Sequence, residues 1–270
     1  MNNSESDVLS SPAIAMVATS STRLPNAASI LEGASGKPSL ISKWLGKLTG
    51  KPASALPGVD WEGENLIFPC GDAQVAVSLM LAPIPWSQLE GPCATSMMWS
   101  EATEAMKQHT NFFLVAILGG NMDPVERRIL LTRIVSKVVS NTDCVGVYWG
   151  EGTLVHAPDT FLAVAPNARA DDIPGPLWLD VRVEPNRDGS WRCFTTGMAP
   201  LGFAEIEVQS SPLDPGDLME FIGDTACYIV NTRQHIPEGN TMGRTSTEQY
   251  QVRYGESMFD RPKVMQLVMQ

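Results

Sequence analysis

The run from Leu177 to Val208 is the part of this chain that leaves the fewest options open. Leu177-Trp178-Leu179-Asp180-Val181-Arg182-Val183 is followed by Asn186-Arg187-Asp188-Gly189, then Ser190 to Thr196, then Phe203-Ala204-Glu205-Ile206-Glu207-Val208. Asp-Gly between two runs that alternate apolar and polar residues specifies a hairpin, because the turn needs a positive φ and Gly supplies it without strain. The stretch therefore reads as three consecutive strands, with Trp178 on one side of the first and Leu177 and Leu179 on the other.

The remaining segments alternate between the two periodicities. Ala13 to Thr19 reads as a strand, Pro25 to Glu32 as a helix, and Glu64 to Pro69 and Ala73 to Leu81 as strands around the turn Cys70-Gly71-Asp72. Met97, Met98, Ala102, Ala105 and Met106 form the apolar side of a helix predicted from Ala94 to His109. Asn111 to Gly119 is nearly continuous in apolar residues, the signature of a strand buried on both faces. Asp123-Pro124 opens a helix to Ser140, with Asp as N-cap and Pro at the first helical position. Val145 to Trp149 and Thr153 to His156 are short strands, and Asn167 to Pro176 is a loop or boundary. Asp214-Pro215 starts a helix to Asn231 whose core positions are Leu218, Phe221, Ile222, Thr225, Tyr228 and Ile229; Tyr250 to Tyr254 and Val264 to Val268 are the final strands. This order specifies an α+β protein with largely antiparallel sheets and helices packed on one face, an arrangement that two ferredoxin-like halves would satisfy. The expected divisions are a lead-in at 1–11, an N-terminal half at 12–170 and a C-terminal half at 171–270.

Thr195-Thr196-Gly197-Met198-Ala199-Pro200-Leu201-Gly202-Phe203-Ala204-Glu205-Ile206-Glu207, followed by a helix and Pro237-Glu238-Gly239-Asn240-Thr241-Met242-Gly243, resembles the bacterial family known as domain of unknown function 4261. The resemblance covers about the last third of the chain, with a looser similarity at Pro83-Ile84-Pro85 and Tyr148-Trp149. It implies a bacterial, cytoplasmic protein of no established activity, and it transfers no catalytic residue.

Charge excludes one class of partner. Thirty acidic residues against nineteen basic ones give a net charge of −11, so the chain lacks the basic face that phosphate neutralisation requires, and no nucleic-acid partner is expected. The five cysteines are widely spaced without a C-x-x-C pair, which suits buried thiols in a reducing compartment. No secretory signal is visible, and no apolar run approaches the roughly 20 residues of a membrane span. Four of the seven lysines fall between Lys37 and Lys51, where Leu40, Ile41, Trp44, Leu45 and Leu48 share a helical face with Lys43 and Lys47 beside it. That segment reads either as a surface helix packed on its domain or as an amphipathic element for a membrane surface or partner groove.

No catalytic signature is present. His109, His156 and His235 are isolated and lack metal-site spacing, so neither metal nor cofactor is expected. His156 precedes Ala157-Pro158-Asp159, which makes a His/Asp pair imaginable beside the plainer reading of a strand-end histidine. Glu205 and Glu207 sit two apart in a strand, hence on one face, where paired carboxylates could divide acid and base roles, hold a basic partner or simply be solvated. Thr195-Thr196-Gly197 and Gly239-Asn240-Thr241-Met242-Gly243 are either tight turns or loops that present N–H groups to an anion. Glu205, Glu207, Trp178, Thr196, Gly197, Gly239 and Thr241 are thus the candidate binding residues. The functional expectation is a cytoplasmic protein-binding module with a basic protein partner, of the immunity or adaptor kind associated with a toxin or secretion system. The alternative is an enzyme acting on a small anionic substrate through Glu205, Glu207 and His156.

Overall fold

A computed structural model describes residues 11–35, 59–245, 248–259 and 261–269. The expected basic helix at 37–51, with Lys43, Trp44 and Lys47, lies outside them, as does nearly all of the lead-in. The chain is α+β and divides into two units, Met1–Arg169 and Ala170–Gln270.

The N-terminal unit contains β1 (Ala13–Thr19), α1 (Ala27–Ser35), β2 (Asn65–Cys70), β3 (Ala73–Met80), α2 (Trp86–Ala94), α3 (Ala102–Met106), β4 (Asn111–Leu118), α4 (Pro124–Ser140), β5 (Cys144–Trp149), β6 (Leu154–His156) and α5 (Pro158–Val164). Its strands form one sheet in the order β2-β3-β4-β1-β5-β6, antiparallel throughout. Omitting β2, β6 and the short helices leaves β1-α1-β3-β4-α4-β5 in the spatial order β3-β4-β1-β5, which is ferredoxin-like. Helix α4 begins as the sequence predicts, with the Asp123 carboxylate accepting from the N–H groups of Val125 and Glu126 at 3.0 and 3.1 Å. It packs against α1 so closely that a Cβ on Gly33 would stand 2.9 Å from Lys137 Cγ and 3.1 Å from the Arg133 carbonyl oxygen. Two arginines of α4 are buried: Arg128 makes two bonds of 2.7 and 2.8 Å to the Glu151 carboxylate, and Arg127 donates to the Ser11 and Gly120 carbonyls.

The predicted helix from Ala94 to His109 shrinks to α3, and a separate helix, α2, precedes it. Helix α2 starts earlier, behind Pro85, and ends at Ala94 two residues after Pro92; Met97 and Met98 lie in the connection, 65% and 63% exposed, instead of in a core. Together α2 and α3 cover one end of the sheet's second face through Ile84, Leu89, Cys93, Ala102 and Met106 against Ala18 and Phe112. His109 clamps this layer: the Ile84 N–H donates to Nε2 at 2.7 Å, and Nδ1 bonds the Met106 carbonyl.

The C-terminal unit contains α6 (Gly175–Trp178), β7 (Asp180–Pro185), β8 (Trp191–Thr196), β9 (Ile206–Ser211), α7 (Pro215–Thr232), β10 (Thr241–Met242), β11 (Tyr250–Gly255) and β12 (Val264–Met269). The sheet order is β10-β11-β12-β9-β8-β7, with β12 parallel to β9 and the other pairs antiparallel. Two strand meanders bridged by one long helix make this half, so the ferredoxin-like arrangement belongs to the N-terminal unit alone. The β7–β8 hairpin turns at Gly189, φ +86°, as Asp-Gly requires. Leu177 and Trp178 are in the helical turn α6, not in the strand, because Gly175-Pro176 starts a helical turn ahead of β7. The third strand starts at Ile206, three residues later than predicted, because Ala199–Leu201 forms a 3-10 turn and Gly202 has φ +90°. Tyr228 of α7 is 52% exposed and is not among that helix's core residues.

Candidate functional site

Both glutamates singled out from the sequence are interior groups. Glu205, 8% exposed, accepts from the Thr195 hydroxyl at 2.6 Å and from the N–H groups of Gly197, Met198 and Ala199 at 3.0 Å each. The 195–199 turn does present N–H groups to an anion, and that anion is the chain's own carboxylate. Glu207, fully buried, accepts from the Ser257 hydroxyl and from the Met258 N–H at 2.7 Å. Donors saturating each carboxylate offset the cost of taking it out of water. The pair is therefore not a solvated face of a strand; each glutamate fastens a different turn.

The other candidates scatter. Gly197 has φ +113° and Gly239 φ +87°, so both serve turns that glycine eases. The Gly239 N–H is spent on the Val252 carbonyl at 2.9 Å, and Thr241 is an exposed strand residue opposite Gln251. The Thr196 hydroxyl receives Arg261 at 3.3 Å, and Trp178 is buried at 1% exposure. His156 is buried in the N-terminal unit with its ring 6.0 Å from Phe161, whereas Glu205 and Glu207 belong to the C-terminal unit. Among the described residues no group of three His, Cys, Asp or Glu is arranged to hold a metal ion.

A surface that the sequence reading did not single out lies on the N-terminal sheet. Residues directly opposite one another across antiparallel strands share a face, so Ile67, Ala76, Ala116 and Ile14 form one row across β2, β3, β4 and β1. Asn65, Ser78, Leu114, Met16 and Tyr148 form the next row, and Pro69, Gln74 and Leu118 the one outside. The cluster under α2 and α3 holds Phe112, and Met16, Leu114 and Tyr148 of the next row pack against it half-buried, while Ile67 is 53% and Leu118 37% exposed and Ile14 is half-buried. The run Asn111 to Gly119, read as buried on both faces, is buried along one face, and on the other Phe112 and Ala116 are buried, Leu114 is half-buried and Leu118 is 37% exposed. At the β1–β5 side the same face opens into a cavity of about 260 Å³ with Ile14, Met16, Tyr148 and Glu151 among its walls.

Charge in the segment that builds most of this face is one-sided. Residues 59–123, which supply β2, β3, α2, α3 and β4, contain eight carboxylates and one lysine, a net −7 of the chain's −11. That lysine, Lys107, lies 3.5 Å from Glu104 and stands over the Trp86 ring at 5.4 Å. The segment that supplies three of this face's strands is thus net acidic. β2 hides this in the sequence, since Leu66, Ile67 and Phe68 are all apolar and only the register shows that Ile67 points outward.

No curated protein and no solved structure matches the chain. One family model does, over a segment that includes Glu205, Glu207, Gly239 and Thr241 but neither Pro83-Ile84-Pro85 nor Tyr148-Trp149. Residues 194–268 match the family described as Domain of unknown function (DUF4261).

Proposed function

We propose that this protein is a protein-binding module that takes a basic, partly apolar segment of another protein on the open face of its N-terminal sheet. The observation that carries the reading is the exposure of Ile67 and Leu118 on one face of the sheet, set in a stretch of net charge −7. Contiguous apolar surface rimmed by polar groups marks interaction sites, and a one-signed field steers an oppositely charged partner toward it. An immunity or adaptor role in a reducing cytoplasm fits the same features, with all five cysteines free. Catalysis through Glu205, Glu207 and His156 is less favoured, because all four glutamate oxygens already accept internal hydrogen bonds.

The test uses two labelled amphipathic helical peptides, one of leucine and lysine and its leucine and glutamate twin, titrated against the protein by fluorescence anisotropy. The lysine peptide binds and the glutamate peptide does not. Ile67→Ser/Leu118→Ser weakens binding at least about tenfold, since each side chain still has on the order of 1 kcal/mol of burial to gain. Stability changes little, because both residues are partly exposed. Equal binding of both peptides, or no loss in the double variant, rejects the reading.

A further inference from the structure

The loop that joins β11 to β12 in the C-terminal unit walls a second cavity, of about 520 Å³, lined by Gly255, Glu256, Ser257, Phe259, Arg261 and Lys263. Pockets for small molecules span roughly 300–1,000 Å³. The loop is fastened from beneath: Glu207 accepts from the Ser257 hydroxyl and the Met258 N–H, and Ser257 in turn accepts from the Phe259 N–H at 3.0 Å. Arg261 donates to the Thr195 carbonyl at 2.9 Å and to the Thr196 hydroxyl at 3.3 Å. Its guanidinium stands 5.0 Å from the Phe259 ring and 5.8 Å from that of Phe194, and those two rings meet edge-on at 4.7 Å.

Both cations of this cavity hold neutral partners. Arg261 bonds a carbonyl and a hydroxyl, Lys263 lies over the Tyr254 ring at 5.9 Å, and among the described residues neither is ion-paired. The carboxylate whose charge reaches Arg261, Asp180, is bonded to Arg182 at 2.5 Å. Planar guanidinium donors beside a compact ammonium suit an oxyanion. Glu256, exposed, also lines the cavity, and a carboxylate there would repel a bare polyanion and accept from a ligand hydroxyl.

We propose that this cavity binds a small hydroxylated organic oxyanion, a phosphate or a carboxylate, with Arg261 and Lys263 on the anionic group and Glu256 on a ligand hydroxyl. The site lies in the segment 194–268 and shares no lining residue with the proposed peptide-binding face. Isothermal titration of the full chain with glycerol 3-phosphate and with citrate, each at two ionic strengths, tests it. One molecule of at least one of the two binds per chain, and more weakly at the higher salt. Lys263→Ala lowers that affinity about tenfold, the worth of a hydrogen bond to a charged group, without moving the urea unfolding midpoint or the lysine-peptide affinity. Arg261→Lys, which keeps the charge and loses the fork, binds between the two. No binding of either compound at millimolar concentration, or an unchanged affinity in Lys263→Ala, overturns the proposal.

Discussion

Replacing Glu205 by Gln separates a structural carboxylate from a functional one. Gln keeps one carbonyl oxygen for the N–H groups of Gly197, Met198 and Ala199, but puts an amide nitrogen where Oε2 now stands 2.6 Å from the Thr195 hydroxyl. Thr195 already accepts from the Ile206 N–H at 2.8 Å, so its own hydrogen loses its acceptor. Charge-assisted bonds are roughly twice as strong as neutral ones, and a neutral bond contributes about 1 kcal/mol net. Three weakened bonds and one lost bond at a site 8% exposed amount to about 3 kcal/mol after allowing for non-additivity. Urea unfolding of wild type and Glu205→Gln, followed by tryptophan fluorescence, measures this directly; the midpoint should fall with the slope unchanged. A loss below about 0.5 kcal/mol, the range of an ordinary surface substitution, would refute the reasoning and return Glu205 to the list of free carboxylates.

Two further outcomes follow from packing and burial. Gly146→Ala should cost about 1–3 kcal/mol by overpacking, since its Cβ would lie 2.6 Å from Met106 Sδ and 2.9 Å from the Trp99 ring; a neutral urea midpoint would show that the α3 layer yields freely. Burial pushes the Cys193 thiol from 9.0 up to about 12. The unfolded chain therefore gives up that proton first, so this thiol's contribution is whole below pH 9 and is lost as pH rises toward 12. Between pH 8 and 10 the loss from this group is about 1.4 kcal/mol, and Cys193→Ala should shallow the alkaline fall of stability by that amount; an unchanged slope would contradict it.

Local chemistry made the element types readable. Asp123-Pro124 and Asp214-Pro215 start helices because a carboxylate cap and a ring-fixed φ act within four residues, and Asp188-Gly189 turns a hairpin for the same kind of reason. What stayed hidden depends on distant partners. Ile67 and Phe68 are equally apolar neighbours, and only pairing with β3 decides that one faces outward. Glu205 reads as either a functional or a solvated carboxylate until the turn at 197–199 wraps its N–H groups around it. The strand pattern at Leu177-Trp178 failed because an adjoining Gly-Pro favoured a helical turn over an otherwise acceptable alternation.

The central place of β12 also orders events in time. It is the last of the described strands in sequence, yet it joins β11 on one side to β9 on the other. During synthesis β7 to β9 and β10 to β11 emerge as two unconnected pieces, and the backbone edges of Ile206 and Val252 wait for residues 264–269 to leave the ribosome. Until they do, β9 offers an open edge to any neighbouring strand, including that of another nascent copy.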